Sequence, residues 1–280
     1  MDNYKNNSND AVKAENIEKL RRTRIICSNR QYEVDGKTVN LTAKPENTYY
    51  GRWKPVEVPH NDNMEIIITD EDSFGCVISH QSEFGGKRVL VLNYANPFTP
   101  GGGVRKGCRA QEEDLCRRSD LLQALEDESA AEYYNSNIAE RAFSVGFENC
   151  ILTENVSVFV DSYGNLMPEP VVVDVMTAAA PKLNGEMFYL PDVDNDEEQV
   201  YGSIDHICDM ILSIAEKEGY RILVLGAFGC GAFRNDPRDV AEAFKKSLTT
   251  KSFEKVYFPI LARGERGQRN YEVFSEILKG

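Results

Sequence analysis

The stretch Val89-Leu90-Val91-Leu92-Asn93 decides the fold class. Its apolar residues follow one another without helical periodicity, and Asn96, Pro97, Pro100 and three glycines come directly after it. Such a run reads as a strand buried on both faces. The same signature returns in Val171-Val172-Val173-Asp174-Val175 and in Ile222-Leu223-Val224-Leu225. Further strands are predicted at 66–69, 151–160 and 256–260. Amphipathic spacing predicts helices near 71–82, 111–126, 129–143, 197–218, 236–249 and 267–278. Strands alternating with helices imply an α/β fold, a mixed sheet flanked by helices.

Toward the N-terminus the pattern weakens. Val12, Ile17, Leu20, Ile25 and Ile26 suggest an imperfect helix over 11–30, preceded by a frayed, Asn/Asp-rich segment. Residues 31–60 carry Gly36, Pro45, Gly51, Pro55 and Pro59 and read as irregular structure or a hairpin. The expected organisation is a partly helical extension, 1–60, packed on a main domain, 61–280. The acidic stretch 192–198 reads as a solvated loop, and no internal repeat is evident.

Composition narrows the function classes. With 41% hydrophobic and 28% charged residues, the 280-residue chain is globular rather than disordered. No apolar run is long enough for a bilayer and no signal-peptide pattern is present, so a soluble, cytoplasmic protein is expected. The seven cysteines are irregularly spaced and odd in number, which favours free thiols in a reducing compartment. A net charge of −13 is the wrong sign for a nucleic-acid footprint. Any anionic ligand must therefore be held by local donors against a repulsive field.

In open α/β sheets ligands lie beyond the carboxyl ends of strands, and two glycine-rich loops occupy that position here. The first follows 89–93. Gly101, Gly102 and Gly103 remove every side chain from a short stretch, so the backbone can take positive φ and approach a ligand. A bare triplet is equally a flexible surface loop. It is followed, however, by Gln111-Glu112-Glu113 and then by Leu115, Leu122 and Leu125 at helical spacing. The acidic pair thus falls in the first turn of a helix beside the loop. Carboxylates there also complement the helix dipole, which lowers their pKa, whereas a general acid needs it raised. Burial and the second carboxylate act in the raising direction. Adjacent helical residues point about 100° apart, so the two cannot do identical jobs.

The second loop, Gly226-Ala227-Phe228-Gly229-Cys230-Gly231-Ala232-Phe233, joins 222–225 to a helical pattern. Asn235 or Asp236 is placed to cap that helix, with Pro237 at its first position. The loop is neither a Walker loop nor the dinucleotide fingerprint. Phe228 and Phe233 suit a core or the face of a sugar or base. Cys230 invites a nucleophile role, but no histidine is placed beside it by a motif. His60, His80 and His206 lack metal-ligand spacing, and no metal or cofactor is expected.

Together these loops resemble those of the microbial-type poly(ADP-ribose) glycohydrolases, whose fold is macrodomain-like. The resemblance extends to residues 173–181, Val-Asp-Val-Met-Thr-Ala-Ala-Ala-Pro, and to Arg269-Asn270-Tyr271 with Phe274. It implies hydrolysis of ribose–ribose O-glycosidic bonds in poly(ADP-ribose), or in polymer on an ADP-ribosylated protein, releasing ADP-ribose mainly from chain ends. Glu113 would be the acid/base and Glu112 would bind ribose hydroxyls. Asn96 and Gln111 would fix the sugars. The glycine triplet and Phe228–Phe233 would cradle the diphosphate, and Asn270 or Tyr271 would contact adenine. Asn93 stands where the animal enzymes carry an aspartate. Alternatives are an ADP-ribose reader without turnover and a hydrolase of a protein or nucleobase linkage. Neither a membrane nor sequence-specific nucleic acid is an expected partner.

Overall fold

The structure, a computed structural model, describes residues 2–51, 63–140, 146–182 and 197–279. The chain begins with α1 (Asp2–Asn29), a hairpin of β1 (Gln31–Val34) and β2 (Lys37–Asn40), and β3 (Glu46–Tyr50). β4 (Glu65–Thr69), α2 (Ser73–His80) and β5 (Val89–Tyr94) follow, then α3 (Gln111–Arg118), α4 (Leu121–Leu125) and α5 (Ala131–Glu140). The remainder is β6 (Cys150–Val160), β7 (Leu166–Ala178), α6 (Glu197–Lys217), β8 (Ile222–Val224), α7 (Pro237–Leu248), β9 (Lys255–Pro259) and α8 (Gly264–Lys279). Among the described residues no helix is long and apolar enough to cross a membrane.

Seven strands form one mixed sheet in the order β3-β6-β7-β5-β8-β9-β4. β3, β6 and β7 pair antiparallel, and β7, β5, β8, β9 and β4 pair parallel. Period-two alternation distributes the central side chains. Leu90, Leu92, Leu223 and Leu225 pack into one core with α6, α7 and α8. Val89, Val91, Ile222 and Val224 pack into a second core with α2, α3 and α4. Each such side chain contributes roughly 1.5–3 kcal/mol on burial, which fixes the register against a one-residue slip. β5 leads toward α3 on one face and its neighbour β8 toward α7 on the other. A crevice must open between their diverging loops.

Several local expectations change. The first helix runs back to Asp2, beyond the predicted start at 11. The predicted helix over 111–126 is broken at Ser119 and Asp120, with Ser119 in extended backbone. The cause is tertiary: buried Asp120 accepts from the Ser157 amide at 2.8 Å and pairs with Arg30 at 2.7 Å. β7 is buried on both faces only in part, because Val172 stands exposed where β6 and β7 run out as a ribbon. Most of the acidic stretch 192–198 lies outside the described residues, and its last two residues open α6. The predicted strand over 222–225 stops at Val224, and Asp236 rather than Asn235 caps α7, accepting from the Arg238 amide.

The N-terminal 50 residues bear directly on the site. β3 supplies an edge strand to the main sheet, and α1 packs across the loop before α3. Asn16 donates to the Gly107 carbonyl at 3.1 Å and Thr23 to that of Arg117. Gly107 has φ +73°, and a Cβ there would lie 2.4 Å from the Lys13 carbonyl oxygen. Only glycine lets the helix approach this closely.

Candidate active site

The crevice is a cavity of about 910 Å³ at the carboxyl ends of β5 and β8. Its centre is the start of α3. Gln111 anchors this turn: its carboxamide accepts from the Tyr94 amide at 2.9 Å and donates to the Leu92 carbonyl at 2.7 Å and to Ser73 Oγ at 3.1 Å. Glu112 and Glu113 follow, buried to 3% and 7% exposure. Glu112 Oε2 accepts from the Asn96 amide and Glu113 Oε1 from the Gly103 amide, both at 2.8 Å. The other oxygen of each, Glu112 Oε1 and Glu113 Oε2, is buried without a hydrogen-bond partner among the described residues. Two half-satisfied buried carboxylates facing one cavity are costly unless a ligand completes them.

The glycine triplet makes this possible. Gly102 has φ +53°, and a Cβ on it would lie 2.8 Å from both Glu112 Oε2 and Glu113 Oε1. The two side chains, though divergent at the helix, therefore converge beneath one glycine. Dipole and burial compete at Glu112, and burial wins. Loss of water pushes its carboxyl up to about 8, opposed by the Asn96 amide and reinforced by the charge of Glu113. Asn96 also folds the approach loop, its Oδ1 accepting from the Phe98 and Thr99 amides at 2.9 and 3.0 Å.

A second wall comes from α2 and the β6–β7 hairpin. Buried Arg118 pairs with Asp72 at 2.6 Å and with Asp114 at 2.9 Å, and donates to the Val160 carbonyl and Ser162 Oγ. Burial alone would raise Asp72; the Arg118 charge and hydrogen bond hold it below the usual carboxylate range. Tyr94 connects the two glycine loops. Its hydroxyl donates to the Leu225 carbonyl at 2.6 Å, and its ring meets Phe228 edge-on at 5.8 Å. A Cβ on Gly226 would fall 2.0 Å from that hydroxyl.

Residues 15–161 match the microbial-type PARG (poly(ADP-ribose) glycohydrolase) catalytic domain. The chain belongs to this family. No curated protein sequence matches it. Solved structures do. The Thermomonospora curvata poly(ADP-ribose) glycohydrolase is 25% identical over 96% of this chain and 99% of that one, with a TM-score of 0.79. The same enzyme bound to the inhibitor ADP-HPD aligns with a TM-score of 0.76 at 26% identity, over the same shares of both chains. The Deinococcus radiodurans glycohydrolase in complex with ADP-ribose is 30% identical over 78% of this chain and 84% of that one, with a TM-score of 0.69. The seven-stranded mixed sheet flanked by helices is thus the macrodomain-like fold of this glycosidase family.

Within the family framework, most residues singled out by sequence meet at the cavity. Asn96, Gly102, Gln111, Glu112 and Glu113 line it from the first loop and α3, Ala227, Phe228, Gly229, Gly231, Ala232 and Phe233 from the second loop, and Asn270 from α8. Four do not line it: Gly101, Gly103, Cys230 and Tyr271. The diphosphate role expected of the triplet does not suit its geometry. The Gly102 amide donates to the Thr99 carbonyl, the Gly103 amide to Glu113, and the Gly101 amide favours the charged form of Glu112. Cys230 is 3% exposed, its Sγ–H donates to the Phe228 carbonyl, and burial drives its thiol pKa upward, against a nucleophile. Gln111, with its carboxamide spent on protein groups, positions the turn.

The second loop fits an anion better. Gly229 has φ +73°, and Asn235 clamps the turn by donating to the carbonyls of Gly229 and Pro181. Among the described residues, the amides of Gly229, Gly231 and Phe233 have no protein acceptor. Sequence reading missed Ser73, Tyr94 and the Asp72–Arg118 pair. Only Asp72 left a local trace, as a capping residue before Ser73-Phe74-Gly75. For metals, the spacing of histidines alone predicted nothing. The fold brings Glu71, Cys76 and His80 within 4.8 Å of one another.

Proposed function

We propose that this chain hydrolyses ribose–ribose O-glycosidic bonds of poly(ADP-ribose) and releases ADP-ribose, mainly from chain ends. The observation that carries the reading is a pair of buried carboxylates lining a large cavity, each tethered through one oxygen while the other has no hydrogen-bond partner among the described residues. Simple binding of ADP-ribose has no use for a half-satisfied acidic pair. Protonation of a leaving sugar oxygen does.

In this reading Glu113, the more exposed of the two, protonates the departing ribose oxygen and then activates water against an oxocarbenium-like ribose. Glu112 accepts from hydroxyls at the scissile linkage. Burial pushes the Glu112 carboxyl up to about 8, which keeps a proton in the site near neutral pH. Asn96 shapes the loop that carries the sugar. The amides around Gly229 and Gly231 hold the diphosphate at short range, which accommodates an anion on a chain of net charge −13. Asn270, which lines the cavity from α8, is the adenine-side contact. Residues 1–60 act as an extension whose first helix braces the catalytic loop through Asn16 and Gly107. Seven free cysteines support a reducing, cytoplasmic setting.

The test is incubation with labelled poly(ADP-ribose). Free ADP-ribose should accumulate while the remaining chains stay long, the pattern of end-wise attack. Intact polymer alongside clearance of a mono-ADP-ribosylated peptide would sink the reading. Accumulation of short oligomers would reject the end-wise part alone.

A further inference from the structure

At the cavity wall, the turn after β4 and the helix α2 bring together a carboxylate, a thiol and an imidazole, the carboxylate of Glu71 belonging to a residue that lines the cavity. Cys76 and His80 are four residues apart on α2 and so share one face, as paired metal ligands on a helix do. Glu71 precedes the helix and closes the group, with one donor atom from each residue within 4.8 Å of the others. We propose that Glu71, Cys76 and His80 form a Zn²⁺ site with a fourth position open.

Three observations point to a cation. Among the described residues Glu71 Oε2 is a buried oxygen with no hydrogen-bond partner, and it faces His80 Nε2 at 3.3 Å without hydrogen-bond geometry. His80 Nδ1 is 2.9 Å from Glu83 Oε1, and donation there leaves Nε2 as a lone pair directed at the cluster. That is the second-shell arrangement in which a carboxylate orients a metal-ligating histidine. The Cys76 side chain is fully buried, so its sulfur is shielded from solvent and oxidants, while Glu71 and His80 are each about a quarter exposed and offer an entry path.

The donor set selects the ion. Thiolate, imidazole and carboxylate in a small closed group suit Zn²⁺ rather than Mg²⁺ or Ca²⁺, which prefer oxygen shells. Bonds of about 2.0–2.3 Å place tetrahedral ligand atoms roughly 3.3–3.8 Å apart. The 3.3 Å separation of Glu71 Oε2 and His80 Nε2 already matches such an edge. Charge also closes: Zn²⁺ against one carboxylate, one thiolate and a neutral imidazole leaves no net charge to bury, the thiol proton leaving to solvent on binding. An ion here would fix the turn that carries Asp72, and through Arg118 the wall of the catalytic cavity. This site adjoins the catalytic cavity through Glu71 but does not depend on the proposed glycosidase chemistry.

The test uses the untagged full chain, stripped of metal, titrated with Zn²⁺ against a chromophoric chelator and separately with Co²⁺. One ion per chain is expected, with a thiolate-to-cobalt charge-transfer band and a rise in Tm on Zn²⁺ addition. Cys76→Ser should abolish the band, and both Cys76→Ser and His80→Gln should weaken Zn²⁺ by roughly a hundredfold or more. His80 is partly exposed, so H80Q serves if C76S does not fold. The proposal is overturned if the wild-type chain takes up no stoichiometric Zn²⁺, if Co²⁺ binds without a thiolate band, or if the folded variants retain wild-type affinity.

Discussion

The two glycine loops leave neighbouring parallel strands at the same end of the sheet, yet they spend their amides in opposite directions. Gly101–Gly103 turns inward, where Gly103 ties Glu113 and the missing Cβ of Gly102 makes room for two carboxylates. In Gly226–Phe233, glycine serves a tight turn clamped by Asn235, and amides of Gly229, Gly231 and Phe233 have no protein acceptor among the described residues. One loop builds the acid; the other prepares a seat for an anion. Glycine content alone does not say which, because that depends on whether acidic side chains lie within reach of the amides.

The comparison breaks most visibly at Glu113. If the first loop serves chemistry rather than affinity, Glu113→Gln should lower kcat on poly(ADP-ribose) by at least about a thousandfold while ADP-ribose still binds. Single-turnover kinetics and calorimetry on the same preparation check both halves. An E113Q chain that turns over normally would remove the division of labour. Gly102→Ala probes the same loop more gently. Its φ of +53° and the 2.8 Å approach to both carboxylates mean that they must move. A displacement near 1 Å costs about a hundredfold in kcat. The ADP-ribose Kd should stay within about threefold.

That division was only half legible in the sequence. The order of strands and helices, the position of both loops and the placement of Glu112 and Glu113 in the first turn of a helix could be read from apolar runs and spacing, since these are local; their convergence beneath Gly102 could not. The direction of the triplet's amides could not, because it depends on the side chains that fold back from α3. Arg118 looks in sequence like an ordinary basic residue at a helix end. Its burial against Asp72, Val160 and Ser162 exists only once three separate segments meet. The break at Ser119 and Asp120 is likewise invisible locally, since Arg30 arrives from the far end of α1.

Glu112 offers a stability test of the inward loop. Its folded pKa is raised from 4.5 to about 8, so the native state holds this proton more tightly than the unfolded chain. The group's contribution is therefore full at acid pH and is lost as pH rises from about 4.5 through about 8. Glu112→Gln removes the ionisable group. Relative to wild type it should gain on the order of 2–4 kcal/mol above pH 8 and flatten the pH profile across that window. Denaturant titrations of both chains between pH 4 and 9 check it. Parallel profiles would mean that the pair's oxygens are not desolvated as described.

For the outward loop the expected loss is in binding. Gly229→Ala forces an L residue to φ +73° and sets a Cβ 2.5 Å from that of Ala180 and 2.7 Å from Asn235 Nδ2. The strain should cost about 1–2 kcal/mol of stability and weaken ADP-ribose about tenfold. Substrate that does bind should react at close to the wild-type rate. A fall in kcat as large as that of G102A would show that the two loops act as one unit.

The smallest effect discriminates most finely between amides and side chains as the phosphate-holding groups. Arg109 and Arg263 also line the cavity, among acidic neighbours that include Asp70, Asp114 and Asp161. Were the diphosphate held mainly by those exposed arginines, affinity would fall steeply as salt screens them. Amides at hydrogen-bond distance act over a range shorter than the Debye length, and salt at the same time screens the repulsion from a chain of charge −13. The two effects oppose each other. The ADP-ribose Kd should therefore change by less than about threefold between 50 and 200 mM salt, measured by calorimetry at fixed pH. A steeper slope, abolished by Arg263→Gln or Arg109→Gln, would transfer the anion from the second loop's backbone to the rim of the cavity.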